Sequence, residues 1–109
     1  MSLESRRLDL QSRLESILGS RNVYFQPPAS IHMSYPCFVY SLEGINNRHS
    51  NNEVYLKNYR FEVTLITKNP LPEEKMDEIE RLPYCRLNRT FVSDNLNHFA
   101  YTVIFEERA

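Results

Sequence analysis

The segment YRFEVTLIT, residues 59–67, decides the fold because apolar and polar side chains alternate along its length. Successive side chains of a β-strand point to opposite faces, so one face of this strand is predicted to be buried. The predicted core face carries Tyr59, Phe61, Val63 and Leu65, and the opposite face carries Arg60, Glu62 and Thr64. The strand is predicted to end near Asn69-Pro70, a dipeptide that favours a turn.

The same alternation recurs on both sides of this segment. Residues 37–42 and residues 98–106 each predict a strand, and residues 84–92 predict a third, bent one. A turn at 93–97 joins the last two strands, because Asp and Asn side chains bond their own backbone and tolerate left-handed φ. The short stretch 23–25 precedes two prolines and predicts an edge strand or an extended arm. The core faces are expected to carry Phe38, Tyr40, Leu42, Phe99, Tyr101, Val103 and Phe105.

Two segments have the period of an amphipathic helix. In the first, residues 3–18, apolar side chains recur at helical spacing, with Ser2 as a candidate N-cap and Gly19 as a candidate C-cap. The second, residues 72–82, begins with a proline and two acids, which suit the first turn, and ends before Pro83. Its predicted buried stripe is Met76, Ile79 and Leu82.

The order of these elements predicts an α+β fold. A chain of 109 residues is the common size of one domain, so residues 1–109 are expected to share a single core. Short connections favour antiparallel hairpins of neighbouring strands. We therefore expect an antiparallel or mixed sheet of about four main strands, with both helices packed on one face.

Residues 43–58 form the longest polar stretch and are predicted to be a loop. Long connections in compact domains tend to be functional or disordered, so this loop is either a partner contact or a mobile hairpin tip. The chain has only two glycines, so asparagine is expected to supply backbone positions with positive φ. The candidates are Asn46-Asn47, Asn51-Asn52, Asn58 and Asn95.

Composition narrows the classes of function. Thirteen basic and fourteen acidic residues give a formal charge of −1, which provides no strong field for holding nucleic acid. Apolar runs are too short to span a bilayer and no secretory signal is recognisable, so the protein is expected to stay inside the cell that makes it. In that setting Cys37 and Cys85 are expected to be buried thiols and not a disulfide.

No arrangement of residues predicts an active site, a cofactor or a metal centre. His32, His49 and His98 are far apart in sequence and have no His or Cys three or four residues away. The acids at the start of the second helix are explained by the helix dipole, and two isolated glycines cannot build a phosphate-binding loop. The chain is therefore predicted not to be an enzyme and to bind no small-molecule substrate.

Single-stranded RNA binding remains an alternative because RNA-binding sheets stack bases on exposed aromatic side chains. Here the aromatic residues coincide with the predicted core face. The other face of the strand at 59–67 is mixed in charge, which makes RNA the less favoured partner.

A series of motifs from Tyr35 to Phe105 resembles the tail-terminator, or tail-completion, proteins of long-tailed bacteriophages and prophages. The resemblance covers about two thirds of the chain, and the segment at 69–72 is less acidic than in that family. The motifs are Tyr35-Pro36-Cys37, Val39-Tyr40, Tyr55-Leu56-Lys57, Tyr59-Arg60, Val63-Thr64-Leu65, Leu82-Pro83, Arg89, Phe91 and the run from Ser93 to Phe99.

This resemblance implies a virion protein that assembles in the host bacterial cytoplasm. It implies a homo-oligomeric ring, a hexamer, that caps the tail tube and presents a surface to the head connector. One predicted contact is the loop at 48–55, and the other is the turn at 94–98 together with the first helix. The candidate interface residues are Arg48, His49, Tyr55, Asp94, Asn95, Asn97 and His98. Another head–tail joining component, a minor capsid component and a general protein-binding adaptor remain the alternatives.

Overall fold

A computed structural model describes residues 2–108, which form two helices and five strands. The α+β class predicted from the sequence is confirmed, and the four long strands correspond to the four expected. The elements are α1 (Leu3–Leu18), β1 (Val23–Phe25), β2 (Cys37–Ser50), β3 (Glu53–Thr67), α2 (Glu73–Ile79), β4 (Arg86–Ser93) and β5 (Leu96–Arg108).

The five strands form one mixed sheet in the order β1-β2-β3-β5-β4. Strand β1 is parallel to β2, and every other neighbouring pair is antiparallel. The segment YRFEVTLIT belongs to β3, which lies in the middle of the sheet. Its central position explains the alternation over residues 59–65, since a strand with neighbours on both sides and one covered face buries every second side chain.

The prediction of a long loop at 43–58 is wrong. Strands β2 and β3 continue through these residues as a two-stranded hairpin, and only Asn51 and Asn52 lie between them. Both asparagines have positive φ, 53° and 65°, as a two-residue hairpin turn of type I′ requires. This part of β2 and β3 has no recognisable hydrophobic period in the sequence, because neither face of the hairpin is covered by a core. Two register shifts, after Leu42 and after Arg48, also interrupt the alternation.

The helix ends largely follow the sequence signals. The Ser2 hydroxyl accepts a hydrogen bond from the Ser5 amide at 3.2 Å, and Gly19 ends α1 with a φ of 75°. Helix α2 is shorter than the expected 72–82, because it begins at Glu73 and ends at Ile79. A turn follows, in which Leu82 remains buried just before Pro83. The amides of Arg81 and Leu82 donate to the carbonyls three residues before them, those of Glu78 and Ile79, so the chain tightens into turns after Ile79.

Both helices cover the same face of the sheet, as predicted. Their buried side chains, among them Leu10, Leu14 and Ile79, share one core with the inward residues of β2, β3 and β5. A second, small cluster of Cys37, Ile66 and Leu96 lies on the other face, where Met33 and Val39 pack against it. We call this second face the open face.

Within residues 2–108, no helix is long and apolar enough to cross a membrane.

Candidate functional site

The tip of the β2–β3 hairpin, residues 46–55, extends away from the core, and we call it the hairpin arm. All residues from 45 to 53 are exposed. The molecule measures 51 × 27 × 23 Å, and its long dimension matches the fifteen residues of β3 at about 3.3 Å each. The arm therefore makes a small domain unusually elongated.

Three predicted interface residues, Arg48, His49 and Tyr55, lie on the arm and are exposed. Arg48 pairs with Leu56 and His49 pairs with Val54, so Tyr55 is the extra residue of a bulge. A bulge redirects the side chains near it, and the Tyr55 ring is 44% exposed. The structure thus brings these three side chains together on one projecting element.

The other predicted interface residues surround the β4–β5 turn. Asp94 and Asn95 form the turn, are exposed and have φ values of 53° and 63°. Asn97 instead donates hydrogen bonds from Nδ2 to the carbonyls of Thr67 at 3.3 Å and Lys68 at 3.2 Å. Its amide therefore joins β5 to the end of β3 and has a structural role.

His98 is also engaged within the chain. Its ring stacks on Phe91 with centroids 4.5 Å apart and planes at 16°. Its Nδ1 lies 3.1 Å from the Leu96 carbonyl oxygen. Of the turn residues predicted to meet a partner, Asp94 and Asn95 are the two that present exposed side chains.

The arm and the β4–β5 turn lie at opposite ends of β3. Near the arm Leu56 pairs with Arg108, whereas at the other end Thr67 pairs with Asn97. The two pairs are separated by roughly 35 Å at about 3.3 Å per residue. The structure therefore gathers the predicted residues into two separate groups and does not bring them into one site.

The first turn of helix α1 lies near the base of the arm. A groove of about 590 Å³ is lined there by Leu3, Ile45 and Lys57, among others. The last turn of α1 lies beside α2, where the Lys75 Nζ donates to the Ile17 carbonyl at 3.4 Å. Helix α1 was expected to act together with the β4–β5 turn, but its N-terminal end lies beside Ile45 and Lys57, at the base of the arm.

Strand β4 is a surface that sequence reasoning missed. It is the last strand of the sheet, and all of its residues are exposed. Its outer backbone groups therefore have no strand partner within residues 2–108. An unpaired edge is a template for strand addition by another chain. Exposed apolar side chains accompany it, namely Leu87, Phe91 and Val92.

The open face carries a second surface that was missed, because Arg60, Arg86 and Arg89 come from two strands that are far apart in sequence. Arg60 and Arg86 line a groove of about 490 Å³ together with the exposed Tyr84. Arg89 lines a neighbouring groove of about 300 Å³, and its guanidinium carbon lies 4.9 Å from the centre of the Phe91 ring. Only the strand register could have shown that these arginines share a face.

The two thiols and one buried tyrosine have raised pKa values. Both cysteines are free thiols, and burial raises the pKa of Cys37 and of Cys85 to about 11. Burial also raises the pKa of Tyr101 to about 12, with a smaller contribution from Glu80. Within residues 2–108, no group of three or more His, Cys, Asp or Glu side chains could hold a metal ion.

Neither a scan against protein-family models nor a search of curated proteins finds a match to this chain. Function is therefore inferred from the surfaces of the molecule and from the motifs of its sequence.

Proposed function

We propose that this chain is a tail-terminator protein of a long-tailed bacteriophage or prophage. It forms a homo-oligomeric ring, a hexamer, at the end of the tail tube and joins the tube to the head connector. It assembles in the host bacterial cytoplasm and remains in the virion. In this proposal it acts by assembly, without catalysis or a cofactor. The motifs between Tyr35 and Phe105 support this family.

The hairpin arm is the observation that carries the proposal. Residues 45–53 are exposed in the folded chain. Contacts with the core therefore do not explain why β2 and β3 continue as regular strands through these residues. A projecting hairpin whose apex holds Arg48, His49 and Tyr55 can reach past its own body to an adjacent subunit. Tyr and Arg are the residue types that most often dominate binding energy at protein interfaces.

The distribution of surfaces also suits a ring. A closed cyclic ring needs two different, complementary patches on every subunit. The arm and the β4–β5 turn lie at opposite ends of β3, so one chain presents distinct surfaces in different directions. Such an arrangement supports head-to-tail contact between neighbouring copies.

A protein-binding adaptor is the second candidate function, and the exposed edge of β4 favours it. An extended segment of a partner could add to this edge and pair with its backbone, as peptides do in β-augmentation. This function requires no ring, so the oligomeric state separates the two candidates.

The test compares two tyrosine variants of the full chain by light scattering over a concentration series. Tyr55→Ala removes the exposed ring of the arm, and Tyr35→Ala, which has a similar exposure of 41%, is the matched control. We expect the first variant to form the ring only at about tenfold higher concentration, because truncating an interface residue of this kind commonly costs more than 1 kcal/mol. Equal assembly of both variants contradicts the role of the arm.

A further inference from the structure

The two faces of the molecule carry opposite charges in excess, acidic on the helix-covered face and basic on the open face. The helix-covered face presents α2 and the turn after it, where five acids, Glu73, Glu74, Asp77, Glu78 and Glu80, are all exposed. None of the five forms an ion pair within residues 2–108. Helical spacing places Glu74 and Glu78 one turn apart on the outer side of α2, away from the buried Ile79.

Two of the three acids of α1, Glu4 and Asp9, are neutralised by arginines of their own helix, and the third, Glu15, accepts a hydrogen bond from Gln11. The Glu4 carboxylate receives the Arg7 guanidinium at 2.7 Å, and this hydrogen bond lowers the pKa of Glu4. Asp9 lies 3.2 Å from the Arg13 Nε. Helix α2 and the turn after it therefore carry five acids without an ion pair within residues 2–108, whereas α1 carries one, Glu15.

Among the residues that line the two grooves of the open face, three arginines outnumber two acids, Glu43 and Glu62, so positive charge is in excess there. Arg86 and Arg89 are exposed and form no ion pair within residues 2–108. Arg60 stands next to them and has a long contact of 3.7 Å from its Nε to Glu43. These three arginines border two adjoining grooves, whose walls could receive a ridge from another molecule.

We propose that the open face of one copy receives helix α2 of the next copy. Glu74 and Glu78 of α2 then meet Arg86 and Arg89 of the neighbour. The inference rests on the proposed function and deepens it by naming a contact between ring subunits. Because α2 and the arginines lie on opposite faces of the sheet, the contact is head-to-tail. Such contacts repeat from copy to copy and close into a ring where the rotation permits.

A second copy suits the open face better than a nucleic acid does. The chain has a formal charge of −1, and most aromatic side chains of its long strands, including Phe99 and Tyr101, are buried and cannot stack on bases. Tyr84 and Phe91, which line the arginine grooves, are exposed. Phe91 is already stacked on His98. The chain's own α2, in contrast, supplies exposed acids that match the arginines in sign, and complementary charge fixes the register and partner of an interface.

The experiment exchanges the charges of the two surfaces in the full chain. One variant carries Glu74→Lys and Glu78→Lys, a second carries Arg86→Glu and Arg89→Glu, and a third combines all four substitutions. The matched control for the arginine variant, Arg21→Glu with Lys68→Glu, makes the same charge change at two other exposed positions. Circular dichroism establishes that each variant is folded. Light scattering then gives its mass as a function of concentration.

We expect each one-sided variant to need at least about 100-fold more protein to form the ring, because like charges then face each other. The combined variant restores assembly, and so does mixing the two one-sided variants, since opposite charges meet again. The control assembles like the unmodified chain. Rings that persist in both one-sided variants overturn the inference, and so does a folded combined variant that stays dissociated.

The outcomes also separate this inference from the proposed function. If both the unmodified chain and the one-sided variants form rings, the proposed ring is supported and the proposed contact between α2 and the open face is rejected. If the unmodified chain never associates, both fail. Binding of a short single-stranded RNA that is lost with Arg86→Glu and Arg89→Glu, while assembly is unchanged, assigns the open face to nucleic acid and overturns the inference.

Discussion

Two buried tyrosines in the same core differ in how their hydroxyl groups are satisfied. The Tyr40 hydroxyl donates to the Gln11 Oε1 at 2.5 Å and accepts from the Arg7 Nη1 at 3.2 Å. The Tyr101 hydroxyl is buried and has no hydrogen-bond partner within residues 2–108. A buried polar group without a partner is destabilising, so the two hydroxyls should contribute to stability with opposite sign.

Removing each hydroxyl tests this difference. We expect Tyr101→Phe to leave the free energy of unfolding unchanged or to raise it by up to about 1 kcal/mol, because an unsatisfied group is lost. Tyr40→Phe should lower it by about 1–2 kcal/mol, because Arg7 and Gln11 lose their shared partner. Urea unfolding measures both variants. A larger loss for Tyr101→Phe than for Tyr40→Phe would show that the Tyr101 hydroxyl is well bonded in solution.

The buried thiol of Cys37 predicts that the folded protein loses stability at alkaline pH. Burial raises the pKa of Cys37 from 9.0 to about 11, so the folded chain holds this proton more tightly than the unfolded chain does. The stabilisation is fully present below pH 9 and is lost as the pH rises towards 11, on the order of 2 kcal/mol for a shift of this size. Cys37→Val should flatten the fall in urea midpoint across this window. An unchanged slope contradicts the assignment to Cys37.

At the scale of elements, sequence reasoning succeeded where a strand or helix covers a core. Residues 59–67 and the end of β5 alternate cleanly because one face is buried, and α1 has marked caps at both ends. It failed for the arm, where strands without a buried face carry no hydrophobic period. Of the asparagines expected to have positive φ, Asn51, Asn52 and Asn95 do, whereas Asn46, Asn47 and Asn58 lie within strands.

The β4–β5 turn provides a prediction at this scale. Asn95 has a φ of 63°, which glycine adopts without strain and alanine does not. We expect Asn95→Ala to lower the free energy of unfolding by about 1 kcal/mol and Asn95→Gly to change it by less than about 0.5 kcal/mol. Thermal unfolding compares the two. Equal losses of stability in the alanine and glycine variants would mean that the positive φ is not the cause. The glycine variant also tests whether the Asn95 side chain takes part in assembly, because it removes that side chain and keeps the turn.

At the scale of the whole molecule, the sequence predicted the class of the fold and two of its exposed surfaces. The arm was recognisable as an exposed polar segment, although not as a pair of strands, and the β4–β5 segment was recognisable as a turn, because polar and turn-forming residues cluster there in sequence. The open face was not recognisable, since Arg60 and Arg86 become neighbours only through the order β3-β5-β4. The free edge of β4 likewise follows from strand order, which local patterns do not encode. Surfaces that form only when distant strands pair can be identified only from the structure.

The ring is the central claim, and the solution mass of the unmodified protein tests it most directly. Light scattering over a concentration series gives that mass, and electron microscopy shows the shape of any large species. We predict a species of about six times the 13.0 kDa chain mass that appears as a closed ring with a central opening. A mass of 13.0 kDa at every concentration, with no ring in the micrographs, would contradict the claim and favour the adaptor.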